Sequence, residues 1–155
     1  MTTRETHGYL SPEWTFDLPI TPEVDIYSFG MMLLEIISGR RNLDLKVEER
    51  RLYFPTWASC QIQMGNIIGV VDATIASEAN IEEVRSATMV GGLYIQDDEN
   101  QRPNMGEVMK ILEGTMEAPA PQILRSLQVL VDQVDEYESD TFDNNLAHLV
   151  APYRQ

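Results

Sequence analysis

Residues 20–39 read Ile20-Thr-Pro-Glu-Val-Asp-Ile-Tyr-Ser-Phe-Gly-Met-Met-Leu-Leu-Glu-Ile-Ile-Ser-Gly39, and this stretch decides the fold. Thr21-Pro22 is a helix start: the Thr21 side chain can accept from free backbone N–H groups, and proline at the first helical position loses no partner. From Val24 to Ser38 apolar residues occur nearly all round the helix, which predicts protein cover on most sides. Gly39 supplies the left-handed stop, and Arg40 and Arg41 suit the negative end of the helix dipole.

Working outward, the reading is of further helices and no strand-rich region. Residues 1–20 form an irregular segment with one short helical turn near Pro12–Trp14. Residues 44–51 form a charged connection. Pro55 opens a second long helix that carries Trp57, Ala58 and Ile62, and Gly65 closes it; Trp57 at this spacing reads as core. Residues 66–79 read as a loop with a short turn around Val70–Ile75. Asn80-Ile-Glu-Glu83 and Asn104-Met-Gly-Glu107 both have capping-box spacing, in which the cap and third residue satisfy each other's backbone donors. They predict helices to about Ile95 and through Leu112, the latter ended by Gly114. Ala118-Pro-Ala-Pro121 breaks the chain. Beyond it Ile123, Leu127, Leu130, Val131 and Val134 recur at helical spacing, giving a marginal helix over 123–136.

Composition narrows the function classes. The 155 residues carry 25 acidic and 11 basic side chains, a net charge of −14, which opposes nucleic-acid binding because phosphate contacts need clustered cations. Six of the acids fall between Val131 and Tyr153 with no Lys or Arg, the pattern of a solvated tail. The longest apolar run, Phe29–Ile37, is broken by Glu35 and is far short of the roughly 18 residues that span a bilayer. The first residues lack the apolar core of a signal peptide. A soluble chain without direct membrane contact is expected. One cysteine, Cys60, forms no internal disulfide and suits a reducing compartment. His7, His148 and Cys60 are too dispersed for a zinc site.

Two blocks carry a resemblance. One is Gly8-Tyr-Leu-Ser-Pro-Glu-Trp14 with the 20–42 stretch; the other is Tyr94-Ile-Gln-Asp-Asp-Glu-Asn-Gln-Arg-Pro-Asn-Met105 with Leu112-Glu-Gly114. The Ser-Pro-Glu triplet alone means nothing; the triplet, the Asp-Ile-Tyr-Ser-Phe-Gly block and the Arg-Pro at these distances together do. From about Thr6 to Leu130 the chain resembles the end of the activation segment and the helical C-lobe of eukaryotic protein kinases. The wording is most similar to plant receptor-like serine/threonine kinases of the lectin and S-locus type. The implied fold is all-α: a truncated C-lobe over 1–116, without an N-lobe, followed by an acidic tail over 117–155. The implied location is cytoplasmic, at the cytoplasmic face of the plasma membrane in the parent family.

The resemblance also implies roles. Glu13 matches the glutamate of the Ala-Pro-Glu motif, with Ser11 in place of alanine, and Arg102 matches its buried ion-pair partner. Without the motif both would read as separate surface charges. Asp25 matches the aspartate that anchors the backbone of the catalytic loop; by itself it is a favourable partner for the helix dipole. Thr6, Gly8 and Tyr9 match the substrate-positioning loop, whose threonine contacts the catalytic aspartate in the family. Glu5 stands where relatives usually have glycine, and Tyr94 where they commonly have cysteine; the second reads as a packing change.

Phosphoryl transfer needs a glycine-rich loop, a lysine paired to a helix glutamate, a catalytic-loop aspartate and asparagine, and a metal-binding Asp-Phe-Gly. The 155 residues contain no Gly-x-Gly, Val-Ala-x-Lys, His-Arg-Asp or Asp-Phe-Gly. In the family all four precede the Thr6 region. The expectation is therefore a kinase piece with no catalytic, cofactor-binding or metal-binding residue of its own, pseudokinase-like in isolation; ATP and Mg belong to the parent family. The alternative is a non-catalytic interaction module, with another kinase or another protein as partner. An unrelated small helical protein is the third reading. If preceding segments cover the 22–38 helix in the family, its bare apolar face here would drive self-association.

Overall fold

The computed structural model describes residues 9–40 and 54–122, which are helical with no strand among them. The elements are α1 (Pro12–Thr15), α2 (Glu23–Ser38), α3 (Phe54–Gln63), a 3-10 turn (Ile67–Val70), α4 (Ala73–Glu78), α5 (Ile81–Tyr94), a second 3-10 turn (Glu99–Gln101) and α6 (Met105–Leu112). The helix expected over 123–136 lies outside the described residues, as do Arg41 and the 44–51 connection.

The most extensive packing is between α2 and α5. Two glycines make it close. A Cβ on Gly30 of α2 would sit 2.5 Å from the Tyr94 Cβ, and one on Gly91 of α5 would sit 2.7 Å from a Leu34 methyl. Tyr27, Met31 and Leu34 of α2 join Ala58, Cys60, Ile62, Val70 and Ile95 in one cluster, with Tyr9, Trp57 and Met89 against its edge. Val90, Leu93 and Tyr94 join Val108 and Ile111 in a second, flanked by Ile26, Leu33, Met116 and Ala118. α5 reaches both clusters, through Met89 at the edge of the first and Val90, Leu93 and Tyr94 within the second.

Four local expectations change. Thr21 does not cap α2: Pro22 occupies the cap with helical angles, and the Thr21 hydroxyl instead donates to Glu99 Oε2 at 3.0 Å. α2 is not enclosed on most sides; Phe29, Met32 and Ile36 are 46%, 46% and 63% exposed. Residues 66–79 are not a loop with one turn. They hold a 3-10 turn and α4, which starts where Asp72 Oδ1 accepts from the Thr74 N–H at 2.8 Å. At Asn80 the side chain bonds the second helical residue, Glu82, rather than forming the reciprocal box, whereas Asn104 and Glu107 form it completely.

The helix ends follow glycine chemistry. Gly39, Gly65 and Gly114 all have positive φ, the left-handed region that costs other residues more. At Gly39 the Asp72 N–H also donates to the Ile37 carbonyl at 2.8 Å, satisfying a group that the helix itself leaves open. Arg40 stacks on Trp57, its guanidinium carbon 4.6 Å from the ring centroid.

Candidate functional site

α1 is a single turn that presents Glu13 inward. Ser11 precedes Pro12, whose fixed φ suits the first helical position, so Glu13 falls next on the buried side. The exit from α1 passes through Asp17, whose φ of 52° an aspartate tolerates. Leu18 then donates back to the Glu13 carbonyl at 2.9 Å.

Arg102 arrives 89 residues later in the chain, directly after the second 3-10 turn. Asp98 Oδ1 accepts from the Asn100 N–H at 2.9 Å and shapes the turn over Glu99–Gln101. Arg102 follows with the extended backbone that a residue before proline prefers. Its guanidinium is buried and makes four hydrogen bonds. Nη2 donates to Glu13 Oε1 at 2.6 Å and Nη1 to Glu13 Oε2 at 3.3 Å. Nη1 also donates to the Glu23 carbonyl at 2.9 Å, and Nε to the Gln96 carbonyl at 3.0 Å. The guanidinium carbon lies 5.1 Å from the centroid of the Tyr27 ring. One side chain thus ties α1, the first turn of α2 and the end of α5.

Burial by itself would raise the Glu13 pKa. The hydrogen bonds from Arg102 and Ser11 and the Arg102 charge outweigh that and hold the carboxyl below its ordinary value. A carboxylate so held is a clamp that fixes geometry.

The other sequence-derived residues divide. Tyr9 is held to α2 twice: its hydroxyl donates to Glu35 Oε2 at 2.6 Å, and Ser28 Oγ donates to its carbonyl at 2.8 Å. Asp25 is exposed in the first turn of α2, placed as a dipole partner. Thr6 and Gly8 lie outside the described residues. Tyr94 is buried at the α2 crossing, its ring edge-on to Phe29 at 6.0 Å and its hydroxyl 3.6 Å from Met105 Sδ; burial raises its pKa. Gln96, whose carbonyl receives Arg102, had no local signature, because nothing in a loop glutamine announces a long-range acceptor. Among the described residues no group of His, Cys, Asp and Glu is arranged to hold a metal ion, and no helix is long and apolar enough to cross a membrane.

No family model matches the chain. Curated proteins do. One G-type lectin S-receptor-like serine/threonine-protein kinase of Arabidopsis thaliana is 41% identical over 151 residues, covering 94% of this chain and 17% of the relative. A second is 44% identical over 138 residues, with 84% and 17% covered. A third is 45% identical over 132 residues, with 84% and 16% covered. Its homologues are G-type lectin S-receptor-like serine/threonine kinases. One of Oryza sativa subsp. japonica is 36% identical over 119 residues, covering 76% of this chain and 15% of the relative. The chain spans about a sixth of the length of the receptor-like kinases it matches.

Proposed function

We propose that these residues form the closing part of a receptor-like serine/threonine kinase domain: the end of the activation segment and the C-lobe helices after it. The observation that carries the reading is the buried two-point pairing of Glu13 with Arg102, 89 residues apart. These are the two positions at which the kinase resemblance calls for such a pair. Within that domain the clamp would hold the segment bearing Thr6, Gly8 and Tyr9 against α2, and Tyr9 is itself bonded to Glu35 and Ser28. Asp25, exposed at the head of α2, would receive the catalytic-loop backbone.

Transfer of phosphate from ATP to serine or threonine then belongs to the whole kinase domain. The nucleotide and metal sites reside in the elements bearing the glycine-rich loop, His-Arg-Asp and Asp-Phe-Gly, motifs these 155 residues lack. Two measurements test this. The isolated chain should show no saturable binding of an ATP analogue at micromolar concentration. In the 41%-identical Arabidopsis kinase, replacing the aligned segment with this chain should preserve serine/threonine autophosphorylation. Saturable nucleotide binding by the chain, or a folded chimera without activity, would contradict the reading.

A further inference from the structure

The segment after α6 is built into the domain. Met116 and Ala118 pack on the cluster formed by α5 and α6. Pro121 is buried, and a Cβ on Gly92 of α5 would meet Pro121 Cγ at 3.3 Å and Ile62 Cδ1 at 2.9 Å. Glycine at 92 therefore keeps open a space that Ile62 and Pro121 share.

The next residue is latched by a buried amide. Gln96 is 3% exposed. Its Nε2 donates to the Gly92 carbonyl at 2.9 Å, which leaves Oε1 facing outward to accept the Gln122 N–H at 3.1 Å. Only a side chain with both a donor and an acceptor satisfies both sites. The backbone carbonyl of this same residue accepts from Arg102 Nε at 3.0 Å, and Arg102 holds Glu13. An unbroken run of hydrogen bonds leads from Gln122 through Gln96 and Arg102 to α1.

We propose that residues 116–122 are a strap, seated by Gly92 and latched by Gln96, whose docking sets the position of α1 through Arg102 and Glu13. The strap is thereby a control point for the segment ending at Glu13. That this segment is the substrate-binding end of an activation segment rests on the kinase reading above; the coupling itself does not.

A continuous path of contacts is not yet coupling, so both ends must be measured. Residue-level amide hydrogen exchange on the full 155-residue chain does this. The variants are Gly92→Ala, whose Cβ crowds Pro121 and, more closely, Ile62, and Pro121→Gly, which adds no atom to the core, leaves the Ile62 contact alone and serves if the first does not fold. The reporters at α1 are the Phe16 and Leu18 amides, bonded to the Pro12 and Glu13 carbonyls. The controls are the Ala76 and Ala79 amides of α4. Release of the strap should speed exchange at Gln122, and at Phe16 and Leu18 by about 5-fold, the effect of roughly one hydrogen bond, with α4 unchanged. Faster exchange at Gln122 with Phe16 and Leu18 unaltered would overturn the proposal. So would acceleration of α4 by the same factor, since the strap would then act only on global stability. Neither result depends on whether the kinase chimera is active.

Discussion

Arg102 meets Glu13 through two nitrogens on two oxygens, at 2.6 and 3.3 Å, with both side chains almost wholly removed from water. Losing one partner strands the other as a buried charge. Arg102→Met should therefore lower unfolding free energy by about 3–5 kcal/mol, measured by urea denaturation. The double variant Arg102→Met with Glu13→Leu should recover a large part of that loss.

The same pair fixes a pH dependence. The Glu13 pKa is lower in the folded chain than the ordinary glutamate value of 4.5. Its stabilising contribution is therefore complete above the unfolded pKa and is lost as pH falls through the folded one. Comparing the chain with Glu13→Gln between pH 6 and acid isolates this group from the other carboxylates. The stability difference should narrow below about pH 4.5. A difference that is flat with pH would contradict the assigned shift.

Two glycines at the α2–α5 crossing should respond unequally to alanine. At Gly30 the new Cβ faces the Tyr94 Cβ and, at 3.3 Å, the Tyr94 carbonyl carbon, so backbone must move. At Gly91 it faces the end of the Leu34 side chain, which can turn away. Gly30→Ala should cost about 1–3 kcal/mol, the usual range for overpacking, and Gly91→Ala less. Thermal unfolding of the two variants checks the order.

Tyr94 fills the crossing with its ring more than with its hydroxyl, whose acceptor in the structure is the Met105 thioether. Tyr94→Phe should change stability by under about 1 kcal/mol, because the lost hydrogen bond is a weak one. Tyr94→Ala should cost about 3–5 kcal/mol through the cavity it leaves. Denaturant midpoints distinguish the two.

Much of the helical pattern could be read locally. Gly39, Gly65 and Gly114 stop helices where their positions suggested, and the Asn104–Glu107 box closes as its spacing predicts. Thr21 deceived because a long-range partner, Glu99, took the hydroxyl that local rules assign to capping. α4 was hidden because six residues give little periodicity, although Asp72 followed by Thr74 was a usable cap signal. Glu13 and Arg102 carry no local sign of pairing, and the kinase resemblance alone brought them together. Gln96 and the strap were illegible: their bonds join residues distant in sequence through an amide that looks like any other polar side chain.

The apolar face of α2 gives a further expectation. Phe29, Met32 and Ile36 recur at helical spacing and are about half exposed or more. Such a patch favours association, so the chain should sediment as more than a monomer at micromolar concentration. Met32→Lys with Ile36→Gln should shift it toward monomer without lowering its stability.

The most direct test of the kinase reading is autophosphorylation by the chimera, in which this chain replaces the aligned segment of the 41%-identical Arabidopsis kinase. Phosphoserine and phosphothreonine formation should persist, and Arg102→Met in the chimera should reduce it sharply. A folded, nucleotide-binding chimera that forms neither, or one indifferent to Arg102→Met, would contradict the account.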